Sequence, residues 1–90
     1  MVSRIVSVAS RDGLHARPAT LFVQAVRDCA SSVRIGRLEQ PPVDARSILS
    51  VMSLGVKCGE KVELSVDGVT AETDIDHLAE LLAHDLDEPQ

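Results

Sequence analysis

Apolar and polar positions divide the chain into short segments of contrasting period. Residues 2–9, VSRIVSVA, mix β-branched residues with Ser and Arg and predict a first strand. Arg11, Asp12 and Gly13 break that pattern into a loop. From Ala16 the apolar residues fall at 16, 19, 22, 23, 26 and 30, the stripe of a helix running from about 16 to 28. Pro18 sits in its first turn, where a missing N–H and a fixed φ cost little. Residues 32–38, SVRIGRL, place Val33, Ile35 and Arg37 on one face of a second strand that Gly36 weakens. Pro41 and Pro42 confine the next strand to a short edge segment around Val43. Ser47 as N-cap and Gly55 as stop bracket a helix of about two turns. Residues 61–66, KVELSV, alternate as a further strand, and Asp67-Gly68 signals a turn. Ile75, Leu78, Leu82 and Leu86 form the stripe of a last helix, with Thr73, Asp74 and Asp76 at its start.

The order is βαββαβα, without internal repeat, linker or low-complexity segment. It predicts one α+β domain over residues 1–90, a mainly antiparallel sheet with helices on one face. The first six elements also fit a ferredoxin-like split βαβ arrangement.

Composition narrows the picture. With 90 residues, 44% hydrophobic and 26% charged, the chain has an ordinary globular makeup and is too short for a large internal cleft. It has no apolar run of about 20 residues, so a membrane-spanning helix is not expected. Its first residues lack an apolar stretch of secretory type. Cys29 and Cys58, outside any CxxC motif, read as reduced, buried thiols of a cytoplasmic protein. Phe22 is the only aromatic residue, which argues against bases stacking on the protein. The net charge of −5 is unevenly spread: residues 1–59 carry +4 and residues 60–90 carry −9. Bulk nucleic-acid binding is thereby disfavoured, whereas a basic patch for one phosphate or one acidic partner remains open.

The candidate chemistry lies in Gly13-Leu14-His15-Ala16-Arg17-Pro18-Ala19, which puts His15 where a loop becomes a helix. First-turn N–H groups there are unpaired and the helix dipole is positive, so a phosphoryl group carried on the ring would find donors. Arg17 can add a charge-assisted contact. The plainer reading makes His15 only a helix-cap residue. A metal site lacks ligands, because His77 and His84 lie two helical turns apart and no HExxH or CxxC occurs. No GxSxG elbow supports a hydrolase. A second feature is Ser47 with Ile48, Leu49, Val51, Met52 and Leu54. Two helical turns cannot bury all five apolar residues on one stripe, so some should be exposed as a partner surface. Ser47 is an N-cap and also an acceptable phosphorylation site.

GLHARPAT at 13–20 resembles the active-site segment of HPr, the histidine-containing phosphocarrier family of the bacterial sugar phosphotransferase system. ARSILSVMSLGVKCGEKVEL at 45–64 resembles the second motif of that family, and motif spacing, length and element order agree. The resemblance implies an open-faced β-sandwich, a four-stranded antiparallel sheet covered on one side by three helices. It implies that enzyme I, charged by phosphoenolpyruvate, phosphorylates His15 at Nδ1, and that the group passes on to enzyme IIA domains of sugar permeases. Arg17 matches the arginine beside the phosphate. Ile48, Leu49 and Met52 match apolar positions that contact partners, and Ser47 matches the serine that a serine kinase/phosphorylase acts on in some bacteria. Neither cofactor nor metal is implied, nor nucleic acid or membrane insertion, and the carrier is expected to be a monomer without turnover of its own. Arg11, Arg17 and Lys57 are the cations expected to offset a phosphate. Ser50 departs from the Gly that many members with the regulatory serine have, Asp12 brings a negative charge near the site, and the tail from Asp85 to Gln90 has no counterpart. Two other readings are a regulatory or nitrogen-type paralogue using the same histidine, and a small ferredoxin-like binding domain with His15 as a cap.

Overall fold

The structure, a computed structural model, describes residues 1–85. Its elements are β1 (Val2–Ser7), α1 (Ala16–Asp28), β2 (Ser32–Arg37), β3 (Val43–Asp44), α2 (Ile48–Ser53), β4 (Lys61–Asp67) and α3 (Ala71–Leu82). The strands form one sheet in the order β1-β4-β2-β3, and every pair is antiparallel. A split βαβ arrangement inserts the third strand between the first two, whereas here β4 fills that place and β3 lies at the edge, so the ferredoxin-like alternative is set aside. The fold is the expected open sheet with three helices.

Alternation in β1, β2 and β4 decides which side chains meet the helices. The register lines up Val2, Val66 and Val33 in one row, then Arg4, Leu64 and Ile35, then Val6, Val62 and Arg37. The aliphatic members of these rows meet Ala19, Phe22, Val23 and Val26 of α1 and Ile75, Leu78, Ala79 and Leu82 of α3 in a single core. Phe22 is fully buried, worth roughly 2–3 kcal/mol of transfer free energy. The two arginines stand at the ends of the rows, where a long stem can lie along the core and the charged head reach out. Arg4 reaches Asp76 of α3 at 2.5 Å.

The helix stripes differ from expectation at their ends. Ala16 and Ala30 are exposed, and α1 buries Pro18 in its first turn. The last helix begins at Ala71, ahead of Thr73, and its first-turn acids are Glu72 and Asp74. Asp74 is taken up by a tertiary contact: Ser31 Oγ donates to its carboxylate at 2.6 Å and Thr70 Oγ1 at 2.8 Å. These bonds, Ser31 first and Thr70 second, hold the Asp74 carboxyl below the usual carboxylate range. Leu86 and the rest of the tail to Gln90 lie outside the described residues.

One junction positions the N-terminal end of α1. Val8 N–H donates to Glu60 O at 2.9 Å, Gly59 N–H to Val8 O at 2.7 Å, and Leu14 N–H to Val56 O at 3.0 Å. The loop before α1 is thus stitched to the loop before β4, and Leu14 is buried between them at 1% exposure. Gly13 makes this approach possible. Its φ is +68°, and a Cβ there would lie 2.1 Å from Val56 O and 2.7 Å from Lys57 Cα. Only glycine accepts both the left-handed backbone and the backbone contact.

Gly13→Ala is therefore expected to cost more than about 2 kcal/mol in denaturant unfolding, from strain and clash together. A loss under about 0.5 kcal/mol would show that the junction yields. Asp74 predicts an acid-linked loss. A carboxyl lowered in the folded state stabilises above its unfolded value, about 3.9, and the stabilisation disappears as pH falls through the folded value. Asp74→Asn should lower Tm at neutral pH, and the gap from the parent should close well below pH ~4. An equal gap at both ends of the titration would contradict this.

Candidate functional site

His15 is the N-cap residue of α1. Its backbone is extended (φ −142°, ψ 157°), and its side chain makes no capping hydrogen bond. The ring is exposed, between the buried Leu14 and the buried Pro18 and Ala19. Ala16 turns the chain into the helix with φ +51°, a conformation that costs a non-glycine residue about 1 kcal/mol or more. Burial on both sides holds this bend and leaves the ring facing water over the first turn. Arg17, also exposed, rides on that turn. An unengaged imidazole, unpaired first-turn N–H groups and a guanidinium are what an acceptor of a dianionic group needs.

The cations expected around the site differ in their surroundings. Lys57 lies on the loop that Gly13 packs against. Arg11 is paired: its Nε donates to Asp85 Oδ2 at 3.1 Å and its N–H to Asp85 Oδ1 at 3.3 Å. Arg11 thus carries an exposed ion pair to the segment that follows α3.

A cluster that sequence reasoning missed lies beneath the site. Arg37, at the end of β2, donates through Nη1 to Leu54 O at 3.3 Å, to Gly55 O at 3.2 Å and to Glu60 Oε1 at 3.2 Å. Its Nη2 forms an ion pair with Glu60 Oε2. Glu60 Oε1 also accepts from Lys57 N–H at 2.8 Å. Arg37, then the Lys57 N–H, hold the Glu60 carboxyl below its usual range, and Glu60 raises the guanidinium in turn.

The second motif forms α2, a helix of six residues between Ser47 and Gly55. Ser47 Oγ accepts from Ser50 N–H at 3.3 Å, a side-chain N-cap. Val51 is the one fully buried residue of the helix, Ile48 and Met52 pack half-buried against the core, and Leu49 is 74% exposed. The expected overflow of apolar residues is thus present, joined by exposed Leu21 of α1. Arg27, late in α1, donates to Arg46 O through Nε at 3.3 Å and Nη2 at 3.1 Å. The start of α2 is therefore tied near the end of α1, while the chain after α2 returns to Leu14 at the start of α1. The two helices pack in opposite directions. Ser47 stands about 10 Å along α2 from the loop that meets His15, and the apolar patch fills the interval.

The remaining candidates separate from the site. Cys29 is half-buried and Cys58 exposed, so the thiols are free but not both buried. Burial, then Asp74, push the Cys29 thiol up, which disfavours its nucleophilic form. His77 and His84 are both exposed. Among the described residues no cluster of His, Cys, Asp and Glu is arranged to hold a metal, and no helix is long and apolar enough to cross a membrane.

Known proteins share this arrangement. Residues 2–84 match the model of the PTS HPr component phosphorylation site family. The chain is 41% identical over 88 residues to the phosphocarrier protein HPr of Streptomyces coelicolor, covering 98% of this chain and 95% of that protein. The crystal structure of HPr-C-His from Thermoanaerobacter tengcongensis superposes with a TM-score of 0.90 at 36% identity, covering 100% of both chains. The multiphosphoryl transfer protein of Escherichia coli O157:H7 is 31% identical over 83 residues, which are 90% of this chain and 22% of that protein. The chain belongs to the HPr family, the phosphocarriers that work with the other proteins of the phosphotransferase system.

Proposed function

We propose that His15 accepts the phosphoryl group and that residues 1–90 act as one carrier domain between enzyme I and enzyme IIA domains. The observation that carries this reading is the exposed, unengaged His15 ring at the N-cap of α1. The Nδ1 lone pair attacks phosphorus as the bond to enzyme I breaks, and the ring proton resides on Nε2. Passing the group to an enzyme IIA domain reverses these roles and regenerates the ring. The chain contributes acceptor and orientation and has no turnover of its own. Arg17 pairs with the new charge, roughly 1.5 to 2 negative units, and first-turn N–H groups bind the oxygens.

Ile48, Leu49 and Met52 serve as the docking patch. A carrier must leave one partner to reach the next, so the interface belongs at the small end, below about 1,200 Å². The patch has to stay free, which favours a monomer working in the cytoplasm. Phosphorylation of Ser47 by a serine kinase would act on docking, because its hydroxyl borders the patch and stands apart from His15.

His15→Ala should abolish the acid-labile gain of one phosphoryl group, read by intact mass after incubation with enzyme I, phosphoenolpyruvate and magnesium. Its Tm should stay close to the parent's, since the ring makes no capping bond. Acid-labile phosphate persisting in that variant would move the acceptor elsewhere. Leu49→Glu should weaken enzyme I binding at least about tenfold, or ~1.4 kcal/mol, with little change in Tm. Met52→Glu should do the same with a larger loss of stability, because Met52 is half-buried. Unchanged titration curves for both variants would remove the patch from the interface.

A further inference from the structure

Arg37 has no place in the chemistry above, yet its guanidinium holds both ends of one loop. At the near end it takes the carbonyls of Leu54 and Gly55, and at the far end the carboxylate of Glu60. Glu60 also takes the Lys57 N–H, which folds the loop onto itself. The middle of this loop is the surface against which the phosphoacceptor segment is built. Val56 O receives the Leu14 N–H, and Gly13 sits against Val56 and Lys57 too closely for a Cβ. Leu14 is the residue before His15.

We propose that Arg37 is a positioning residue for phosphoryl transfer: with Glu60 it clamps loop 54–60 into a rigid shelf that fixes the pose of His15. The proposal rests on the reading of His15 as acceptor. The fork geometry matters. A guanidinium can face two carbonyls and a carboxylate together, whereas an ammonium is a point charge without that planar reach. Releasing the clamp frees the Val56 carbonyl and with it the Leu14 anchor. A misplacement of about 1 Å at a reacting atom costs up to about a hundredfold in rate. The docking patch is anchored by Val51 and by Arg27 on the Arg46 carbonyl, but Arg37 also holds the carbonyl of Leu54, the C-cap of α2, so the saturating rate and not half-saturation reads the clamp.

The test is single-turnover transfer from pre-phosphorylated enzyme I to the full-length carrier, comparing the parent with Arg37→Gln, Arg37→Lys and Glu60→Gln. Two quantities are read: the saturating rate constant and the half-saturating carrier concentration. A carrier that is only less stable supplies fewer folded molecules, which raises half-saturation and leaves the saturating rate unchanged. A mispositioned His15 lowers the saturating rate itself. The expected result is a saturating rate reduced at least about fivefold in Arg37→Gln, with a smaller loss in Arg37→Lys. A rate within about threefold of the parent in Arg37→Gln overturns the proposal, whatever happens to half-saturation. Should Arg37→Gln fail to fold by circular dichroism, Arg37→Lys and Glu60→Gln decide on the same threefold criterion. Failure of the parent itself to accept phosphate would remove the His15 reading and this inference together, a result distinct from an active parent with an equally active Arg37→Gln.

Discussion

A single backbone approach organises the molecule: Gly13 and Leu14 lie flat against Val56 and Lys57. The two family motifs, far apart in sequence, become one surface only because no side chain stands between these strands of backbone. Leu14 fills the space beneath, and Pro18 and Ala19 seal the first turn from the other side. His15 and Arg17 are then left outward by default, with Leu14, Pro18 and Ala19 consumed by packing. The site is exposed because its flanks are buried.

Charge follows a similar division. The net charge of −5 belongs to the last third of the sequence, and α3 carries Glu72, Asp76 and Glu80 on its exposed face. The side formed by the start of α1 and the 54–60 loop bears Arg17 and Lys57 instead. With its charges divided in this way, a protein acidic overall can still steer a negative surface to a chosen face. The short α2 suits this arrangement. One buried residue, Val51, anchors it, Ile48 and Met52 lean half-buried on the core, and Leu49 stands exposed.

Much of this was legible from periodicity. β4 alternates cleanly, α1 carries an apolar stripe, and Ser47 and Gly55 bracket α2 as their capping chemistry requires. The motif residues His15 and Arg17 could be read because loop, N-cap and first turn are local in sequence. What escaped was set by tertiary proximity. Arg37 and Glu60 are 23 positions apart, and Arg11 and Asp85 are 74 apart, so no spacing rule pairs them. Thr73, Asp74 and Asp76 were expected at the start of α3, whereas the helix begins at Ala71 and Asp74 accepts from Ser31 across the chain. Cys58 was expected inside, but it falls on the exposed part of the loop before β4, where Val56 takes the core position.

The strand order also dictates when the site comes into being. β4 lies between β1 and β2, and Val56 and Glu60 supply the carbonyls that fix the segment before α1. During synthesis, the N-terminal strand therefore has no neighbour until residues 61–67 leave the ribosome. At about 5–20 residues per second, that is a wait of several seconds after His15 has emerged. Throughout this interval the histidine is present but its frame is not. Completion of the sheet and fixing of the segment before α1 are the same event.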